Sequence, residues 1–418
     1  MILKWISRKI EASALQFAIL VSVIVSIILS SFLLLTYTFN SFTDQSDQVL
    51  LNIEHSNTGI EYLFNSGEEI LDSTQILIGQ TPVTLTKTYL GSFEKVSSSA
   101  GEGSKAFKKI ALLGNNEKRN LTGIYLEDNN LPLVLAGNTR VEGNTYTPKD
   151  IIKAGNISGN YFKGSSLVHG ERYSSDISLP KLDLNWKNYL AGMVDFVPGP
   201  EDVVVGLGDL RNSFFNERLV VYETSKIILD QQLLGNILVK SETEIEVTQF
   251  ANLDQVLLLA PKVIINSNFR GNIHIIAEEV VLKEKVTLNY PSSIIVVQKP
   301  IAQNEKEYGY DPKITIGKNS IFQGNIIYLN SQDDKKSKND LLIDDNALVE
   351  GSVYCEGYTE LRGTVLGSIF TKYFVANQSG SIYINHIYNG KVLTEMSKPV
   401  MCGILLVGKR KNVAAWLY

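Results

Sequence analysis

Two pairs of neighbouring carboxylates are the residues most able to do chemistry in this sequence, Asp333-Asp334 and Asp344-Asp345. Glycoside hydrolysis needs two carboxyl groups that flank the bond to be broken. The first pair, however, is followed by Lys335-Lys336-Ser337-Lys338, which is the composition of a solvated loop. The second pair precedes Asn346, and Asx side chains at such a position cap the backbone of a turn. We therefore predict a solvated loop at the first pair, a turn at the second and no catalytic residue.

The histidines do not form a metal-ligand pattern. None of the four has a neighbour at ligand spacing: His55, His169, His274 and His386. His274 alternates with Ile273 and Ile275, which predicts a histidine on the surface or on the face of a strand. The sequence also lacks a P-loop, a dinucleotide fingerprint, His-Glu-x-x-His and Gly-x-Ser-x-Gly. We expect no metal, no cofactor and no enzymatic activity.

The two cysteines, Cys355 and Cys402, leave two interpretations open. In an oxidising compartment they could form a disulfide that fixes the C-terminal segment, or they could be two separate buried thiols. The short basic run Lys409-Arg410-Lys411 and a formal charge of −5 give no reason to expect nucleic acid as a partner.

Composition excludes several classes of protein. The chain has 418 residues, 44% of them hydrophobic and 20% charged, so it can bury a core and is not mostly disordered. Two cysteines and four histidines exclude a disulfide-rich scaffold and a multi-site zinc protein. The length predicts two or three structural units.

The N-terminal region predicts a membrane span. Residues 12–39 carry no charge, and a bilayer core needs about 20 apolar residues. A cleaved signal peptide is the alternative, but its apolar region is normally about 7–15 residues long. Lys4, Arg8 and Lys9 precede the span and the next basic residue is Lys87, so residues 1–11 are predicted to be a cytoplasmic tail.

The span also carries small residues at every fourth position: Ala14, Ala18, Ser22, Ser26 and Ser30. Such a stripe allows close packing of helices, and serine hydroxyls can bond across a helix pair. In the alternative interpretation, the serines only bond back to their own helix. We expect membrane lipid as a partner, and other membrane or envelope proteins through this face.

A helical stalk is predicted for residues 40–72. Val49, Ile53, Ile60 and Phe64 follow helical spacing, and Gly67 is the expected end. A long N-terminal helix followed by an outer β domain, with the opening Glu11-Ala12-Ser13-Ala14-Leu15, resembles the minor pilin-like and pseudopilin-like anchors over about 30 residues. The resemblance implies a component of a pilus-like or secretion apparatus.

The outer portion is predicted to be mainly β, a parallel β-helix (β-solenoid) with loop insertions over residues 226–395. Short apolar runs follow repeated phrases: Gly235-Asn236-Ile237, Gly271-Asn272-Ile273, Gly324-Asn325-Ile326, Gly351-Ser352-Val353, Gly367-Ser368-Ile369 and Gly380-Ser381-Ile382. Stacked rungs need such repeats, and the glycines are predicted to supply positive-φ turns between rung faces. A β-sandwich with Gly-Asn hairpins is the alternative.

The remaining organisation is less regular. Residues 73–225 are predicted to be β-rich, with rungs of the same or an abutting solenoid over 131–170 and an insertion over 171–225. Residues 184–194 and 251–256 are predicted to be helical, residues 300–313 and 330–340 to be side loops, and residues 396–418 to be a C-terminal tail.

Residues 340–385 resemble the short-rung β-helix of bactofilin-like, polymer-forming envelope proteins. The matching phrases are Asn346-Ala347-Leu348-Val349-Glu350-Gly351-Ser352-Val353 and Leu361-Arg362-Gly363-Thr364-Val365-Leu366-Gly367-Ser368-Ile369. The resemblance implies a fold more than a function.

We therefore expect a non-enzymatic, single-pass protein of the bacterial inner membrane, with its outer domain periplasmic or extracellular. The alternative is a membrane-tethered β-helix enzyme that acts on polysaccharide. Two carboxylates about 5–10 Å apart beside an aromatic groove would favour that enzyme.

Overall fold

The structure is a computed structural model that describes residues 3–65, 73–116, 122–298, 311–330, 339–378, 380–394 and 401–417. The chain is mainly β with one long N-terminal helix and a large parallel sheet, which confirms the predicted class. It divides into two compact units. The first comprises Met1–Glu61, Gln75–Leu85 and Ser98–Lys108, and the second comprises Tyr62–Thr74, Thr86–Ser97 and Lys109–Tyr418.

The first half of the chain contains both α-helices and thirteen strands among its described residues. In chain order these are α1 (Leu3–Asn65), β1 (Ser73–Ile78), β2 (Thr81–Leu90), β3 (Phe93–Ala100), β4 (Phe107–Asn116), β5 (Thr122–Leu126), β6 (Leu133–Ala136), β7 (Arg140–Val141), β8 (Asn144–Thr147), β9 (Ile152–Ala154), β10 (Asn156–Ile157), β11 (Asn160–Tyr161), β12 (Arg172–Ser174), α2 (Leu184–Val194) and β13 (Val203–Val205).

The remaining described strands all belong to the second unit. They are β14 (Leu210–Asn212), β15 (Leu219–Glu223), β16 (Ile227–Leu229), β17 (Gln232–Gly235), β18 (Ile237–Ser241), β19 (Glu244–Val247), β20 (Asn252–Leu259), β21 (Lys262–Ile265), β22 (Arg270–Ala277), β23 (Glu279–Leu282), β24 (Thr287–Gln298), β25 (Ile314–Ile316), β26 (Ile321–Asn330), β27 (Leu341–Ile343), β28 (Leu348–Leu361), β29 (Thr364–Gln378), β30 (Ser381–Ile384), β31 (His386–Tyr388), β32 (Lys391–Leu393), β33 (Cys402–Gly403) and β34 (Lys411–Leu417).

In the first unit, the outer part of α1 packs closely on strand residues. Asn52 donates its side-chain amide to the carbonyl of Lys105 at 2.8 Å. Gly59 lies against Ser98, since a Cβ placed on this glycine would be 2.2 Å from the Ser98 Oγ. Ile60 and Leu85 are buried. The predicted helical stalk is therefore observed as far as Asn65, and its expected end near Gly67 lies outside the described residues.

The second unit is built on a long ladder of parallel strands, which we call face A. Its spatial order is β13, β15, β18, β20, β22, β24, β26, β28, β29, β5, β8 and β12. This parallel pairing does not fit the antiparallel sheets of a β-sandwich.

Two further parallel ladders accompany face A. Face B has the order β16, β19, β21, β23, β25, β27, β28 and β29, and β31, β6 and β9 pair in the same direction. Face C has the order β14, β17, β20, β22, β24, β26, β28, β29, β32 and β7. One passage of the chain through A, B and C is a rung, and long strands such as β28 and β29 bend from one face to the next.

The order of rungs in space differs from their order along the chain. Strands β5 and β7 pair with β29 and β32, which belong to the last C-terminal rung, whereas β13 lies at the opposite end of face A. Residues 122–174 therefore stack onto the C-terminal rung, and the segment containing α2 leads the chain to the other end. The C-terminal residues, which the sequence predicted to be a tail, include β33 and β34, both antiparallel to β4.

The helix α2 has the predicted bounds, Leu184–Val194. Asp183 caps it by accepting a hydrogen bond from the backbone N–H of Trp186 at 3.0 Å. Trp186, Leu190 and Met193 are buried against the outward-facing apolar residues of face A. The other predicted helix, over residues 251–256, is wrong, because Asn252–Leu259 is β20. Neighbouring rungs pair with this segment on both sides and override its local preference.

The glycines of the repeated phrases fall into two groups. Gly324, Gly351 and Gly367 lie one above another on adjacent strands with φ of 144°, 135° and 141°. They lie within strands and not between them. Gly271 has no positive φ, and it is in register with Leu288 and Phe322, two residues before the position of Gly324. Gly235 has a φ of 92° at the end of β17.

The last phrase, Gly380-Ser381-Ile382, does not add a parallel strand. Strand β30 pairs antiparallel with the end of β29. Strands β10 and β11, which begin after Gly155, form another antiparallel pair. These Gly-containing segments are therefore hairpins on the outside of the parallel ladders.

Candidate functional site

The helix α1 is long and apolar enough to cross a membrane by length and composition, although a signal sequence passes the same test. Its most apolar stretch has no buried residues, so the protein itself does not cover these side chains. Leu15, Phe17, Leu29 and Leu33 are all exposed. Apolar side chains that the protein leaves uncovered are stable only in apolar surroundings, and a lipid bilayer provides such surroundings.

The stripe of small residues lies along this exposed part of α1, at Ala14, Ala18, Ser22, Ser26 and Ser30. Two of its hydroxyls bond back to their own helix. Ser22 donates to the carbonyl of Ile19 and Ser26 donates to the carbonyl of Ser22, each at 2.8 Å. These bonds satisfy the hydroxyls but leave the groove between the larger side chains open. This stripe would therefore stabilise a helix pair mainly by close packing and less by hydrogen bonds between the helices.

Buried carboxylates of the second unit are occupied by structural partners. Glu94 pairs with Lys87 at 2.5 Å and with Lys411 at 2.8 Å. Glu360 pairs with Arg362 at 2.6 Å. Asp340 accepts hydrogen bonds from the Tyr328 hydroxyl at 3.0 Å and from a backbone N–H at 2.9 Å. These contacts hold neighbouring strands and loops together.

The pair Asp344-Asp345 lies in a turn, as predicted. Asp344 accepts a hydrogen bond from the backbone N–H of Asp345 at 2.8 Å, and its carbonyl accepts one from Ala347 at 3.0 Å. Asn346 has a φ of 58°, which is common for asparagine in turns. The pair Asp333-Asp334 lies outside the described residues.

His274 faces outward from face A, but it is completely buried under the turn between β2 and β3. Its Nε2 donates to Gln255 Oε1 at 3.2 Å, and its Nδ1 accepts from the Ser293 hydroxyl at 2.9 Å. Burial without a charged partner lowers the pKa of His274 to about 3. Within the described residues, no group of three or more His, Cys, Asp or Glu side chains could hold a metal ion.

A serine hydroxyl beside a histidine is an arrangement that nucleophilic catalysis uses. Here the backbone of Gly91 covers it, because a Cβ on that glycine would lie 2.0 Å from the Ser293 Oγ. The backbone N–H of Ser92 donates to Ser293 Oγ at 3.3 Å, and Asn325 donates to the Ser92 hydroxyl at 3.0 Å. This polar group therefore holds the β2–β3 turn in place, and the turn covers the Ser293 hydroxyl.

Both cysteines are free and buried. Of the two interpretations that the sequence left open, the structure therefore has two separate buried thiols and no disulfide between them. Burial raises the pKa of the Cys355 thiol, so the thiolate needed for exchange is disfavoured. The Cys402 backbone N–H donates to the Tyr290 hydroxyl at 2.9 Å.

Face A also carries a ladder of aromatic residues that the sequence did not reveal. Five aromatic side chains occupy the same position on adjacent strands: Tyr354, Phe370, Tyr125, Tyr146 and Tyr173. Their neighbouring ring centroids are 4.9–6.3 Å apart. The rings thus pack on one another, and Tyr354 and Phe370 are buried, whereas Tyr173 at the end of the ladder is exposed. In the sequence, the one sign of this alignment is a shared spacing: Tyr354 and Phe370 are 16 residues apart, as are Gly351 and Gly367.

No protein-family model matches the chain, and no curated protein is similar to it. Among solved structures, the chain is similar to the competence-associated pilin ComZ from Thermus thermophilus. The identity is 10%, the match covers 85% of this chain and 89% of that chain, and the TM-score is 0.21. The long apolar N-terminal helix expected of a pilin-like anchor is present in α1. The resemblance to bactofilin-like repeats stays a prediction.

Proposed function

We propose that this protein is a non-enzymatic, single-pass membrane protein of the cell envelope that presents a β-solenoid as a structural or assembly module. The observation that carries the proposal is α1, whose outer part packs on strands of the first unit while its apolar part has no protein cover. The specific version is a component of a pilus-like or secretion apparatus in the bacterial inner membrane.

The solenoid is supported by the three parallel ladders, since each rung covers the inner face of the next. A cytoplasmic N-terminus and an outer C-terminal domain are supported by Lys4, Arg8 and Lys9 before the span. A structural role is supported by the buried carboxylates Glu94 and Glu360, which are paired with basic side chains.

The small-residue stripe is the part of this proposal that separates an assembling component from a passive anchor. We expect Ser22→Leu combined with Ser26→Leu to keep membrane insertion intact, because leucine is more apolar than serine. The same change fills the groove and should weaken association with a second membrane helix several-fold. The measurement is crosslinking and co-purification of the full-length chain at equal membrane levels.

Val23→Leu combined with Ile27→Leu is the control, since it introduces the same two leucines on a different side of the same helix turns and leaves the small residues in place. This control should associate like the wild type. Identical partners for all three proteins would mean that α1 is only an anchor.

A further inference from the structure

The outer side of face B carries two columns of side chains, each with one residue on every rung from β16 to β27. The residues that alternate with them, such as Ile245 and Val263, belong to the inner core. The first column alternates between basic and acidic residues: Lys226, Glu244, Lys262, Glu279, Lys313 and Asp340. The second column is mainly aliphatic: Ile228, Glu246, Ile264, Val281, Thr315 and Leu342. Face B therefore presents a charged column beside an apolar one.

Contacts within one copy account for the charged column. Lys226 pairs with Glu244 at 2.8 Å, and Lys262 pairs with Glu279 at 2.6 Å. Opposite charges on neighbouring strands stabilise a sheet. The alternation of charge thus has a structural role in the single chain, whatever else it does.

The aliphatic column has no such explanation in one copy. Ile228 is 52% exposed, while Ile264, Val281 and Leu342 are half-buried. None of the four belongs to either of the two large apolar clusters of the described residues, whereas outward-facing Leu257 on face A is buried in the second cluster. The solvated side of a sheet normally carries polar residues. This column therefore marks a surface for a partner.

The order of the charges identifies a second copy of the same chain as that partner. A two-fold axis parallel to the strands, placed between β21 and β23, lays face B of one copy on face B of the other with the rungs in reverse order. Lys262 then faces Glu279 of the second copy, and Glu244 faces Lys313 of the second copy. An axis through β21 would instead place Lys262 on Lys262, so the charges specify the register.

The aliphatic column is matched by the same axis. Ile264 faces Val281 of the second copy, and Ile228 faces Leu342 of the second copy. Glu246, the one charged member, faces the hydroxyl of Thr315, which can donate a hydrogen bond to a carboxylate. Both columns are therefore complementary to themselves about one axis.

The area of this contact is small. Strands about 4.8 Å apart and about four residues wide, at about 3.3 Å per residue, give roughly 300 Å² on each copy from β16 to β27. Stable interfaces between free proteins bury about 800 Å² on each side. Two copies that are anchored in one membrane have a high effective concentration, which offsets a small contact area. We therefore expect pairing in the membrane and little pairing in dilute detergent.

We propose that two copies of this chain associate in the membrane through face B, related by a two-fold axis parallel to the strands between β21 and β23. Because each copy uses the same patch, the contact closes on itself and gives a dimer. This inference rests on the proposed function as a membrane-anchored assembly module, and it names a second copy as one partner of that module.

Cysteines far from the axis test the reversed order of the rungs. Ile228 and Leu342 lie about 24 Å apart along one copy, at about 4.8 Å per strand, but they face each other across the contact. Packed sheets are about 10 Å apart, so a thiol crosslinker of about that span is used. In membranes it should join Ile228→Cys to Leu342→Cys in a mixture of the two full-length variants, and neither variant to itself. The wild type gives the background from the buried Cys355 and Cys402.

Charge reversal in these cysteine variants tests the partner. Lys262→Glu makes both central residues of the charged column acidic, and Glu279→Lys makes both basic. Lys262→Glu in both copies should lower the mixed crosslink at least about tenfold, because like charges then face each other. Lys262→Glu in one copy and Glu279→Lys in the other should restore it, since residues 262 and 279 again meet with opposite charge. This recovery also shows that both variants fold.

Two results would overturn the dimer: no mixed crosslink between the cysteine variants, or a crosslink that charge reversal leaves unchanged or that the opposite pair of variants does not restore. Crosslinks of Ile228→Cys to a different protein in place of a second copy would assign face B to that protein and overturn the dimer as well. The membrane-helix test of the proposed function is independent, because it measures contacts of α1 and not of face B.

Discussion

At the scale of residues, the aligned glycines show how closely the rungs approach one another. A Cβ on Gly351 would lie 2.0 Å from the carbonyl oxygen of Gly324, and a Cβ on Gly367 would lie 2.1 Å from that of Gly351. Each of these glycines also has a positive φ, which other residues adopt only at a cost. The bend at this position in each rung therefore depends on glycine for two separate reasons.

Gly351→Ala should lower the free energy of unfolding by about 2–3 kcal/mol or more, since it adds backbone strain and a steric clash. The measurement is denaturant unfolding of the full-length chain in detergent, followed by tryptophan fluorescence. Gly208→Ala is the control, because its added Cβ meets nothing within 4 Å. Equal stability of the two variants would contradict the close approach described for Gly351.

His274 should make stability depend on pH. The folded chain binds a proton at this ring only near pH 3, whereas an unfolded histidine binds it near pH 6.5. The unfolded state therefore takes up the proton first as pH falls, and the folded state loses about 2 kcal/mol between pH 7 and pH 5 from this group. Thermal unfolding at both pH values measures the loss.

His274→Gln is the matched variant for this titration. It should be less stable than the wild type at pH 7, because the buried hydrogen bonds to Ser293 and Gln255 change. Its stability should fall less between pH 7 and pH 5. An unchanged pH dependence in this variant would show that His274 does not carry the effect.

At the scale of elements, α2 covers the outer side of face A. Its buried face consists of Trp186, Leu190 and Met193, while Leu184 on the same helix is 68% exposed. The Trp186 Nε1–H also donates to the carbonyl of Gly91 at 3.0 Å, which joins α2 to the β2–β3 turn. Helix α2 is therefore packed on the outer side of face A and is not a free connector.

Trp186→Ala should destabilise the second unit by about 3–5 kcal/mol, because it leaves a large cavity. Trp186→Phe should cost less, since it keeps most of the apolar volume and loses the hydrogen bond to Gly91. Leu184→Ala should change stability by less than about 0.5 kcal/mol. Denaturant unfolding followed by circular dichroism compares the three, and equal losses in all of them would contradict the packing of α2.

At the scale of the whole molecule, the proposed orientation places the strand ladders outside the cytoplasm. A reporter that is active only outside the cytoplasm, fused after Tyr418 through a flexible linker, should be active in cells. The same reporter fused after Glu11, before the apolar span, should be inactive. Activity of the second fusion and not of the first would reverse the orientation argued from Lys4, Arg8 and Lys9.

Local patterns alone predicted several features of this protein. The 28 uncharged residues of the apolar segment, the bounds of α2 and the turn at Asp344-Asp345-Asn346 depend on residues within a few positions of one another. Alternation of apolar residues with glycines predicted a mainly β chain for the same reason. These features need no knowledge of what lies nearby in space.

Only the tertiary structure decided which segments pair. Residues 122–174 stack on the C-terminal rung although more than 200 residues separate β5 from β29. Gly271 is in register with Leu288 and through it with Phe322, two residues before Gly324, and the β2–β3 turn buries His274. The aromatic ladder likewise combines strands from distant parts of the chain. Pairing of this kind depends on the stability of the whole stack, because each rung buries its apolar face only against its neighbours.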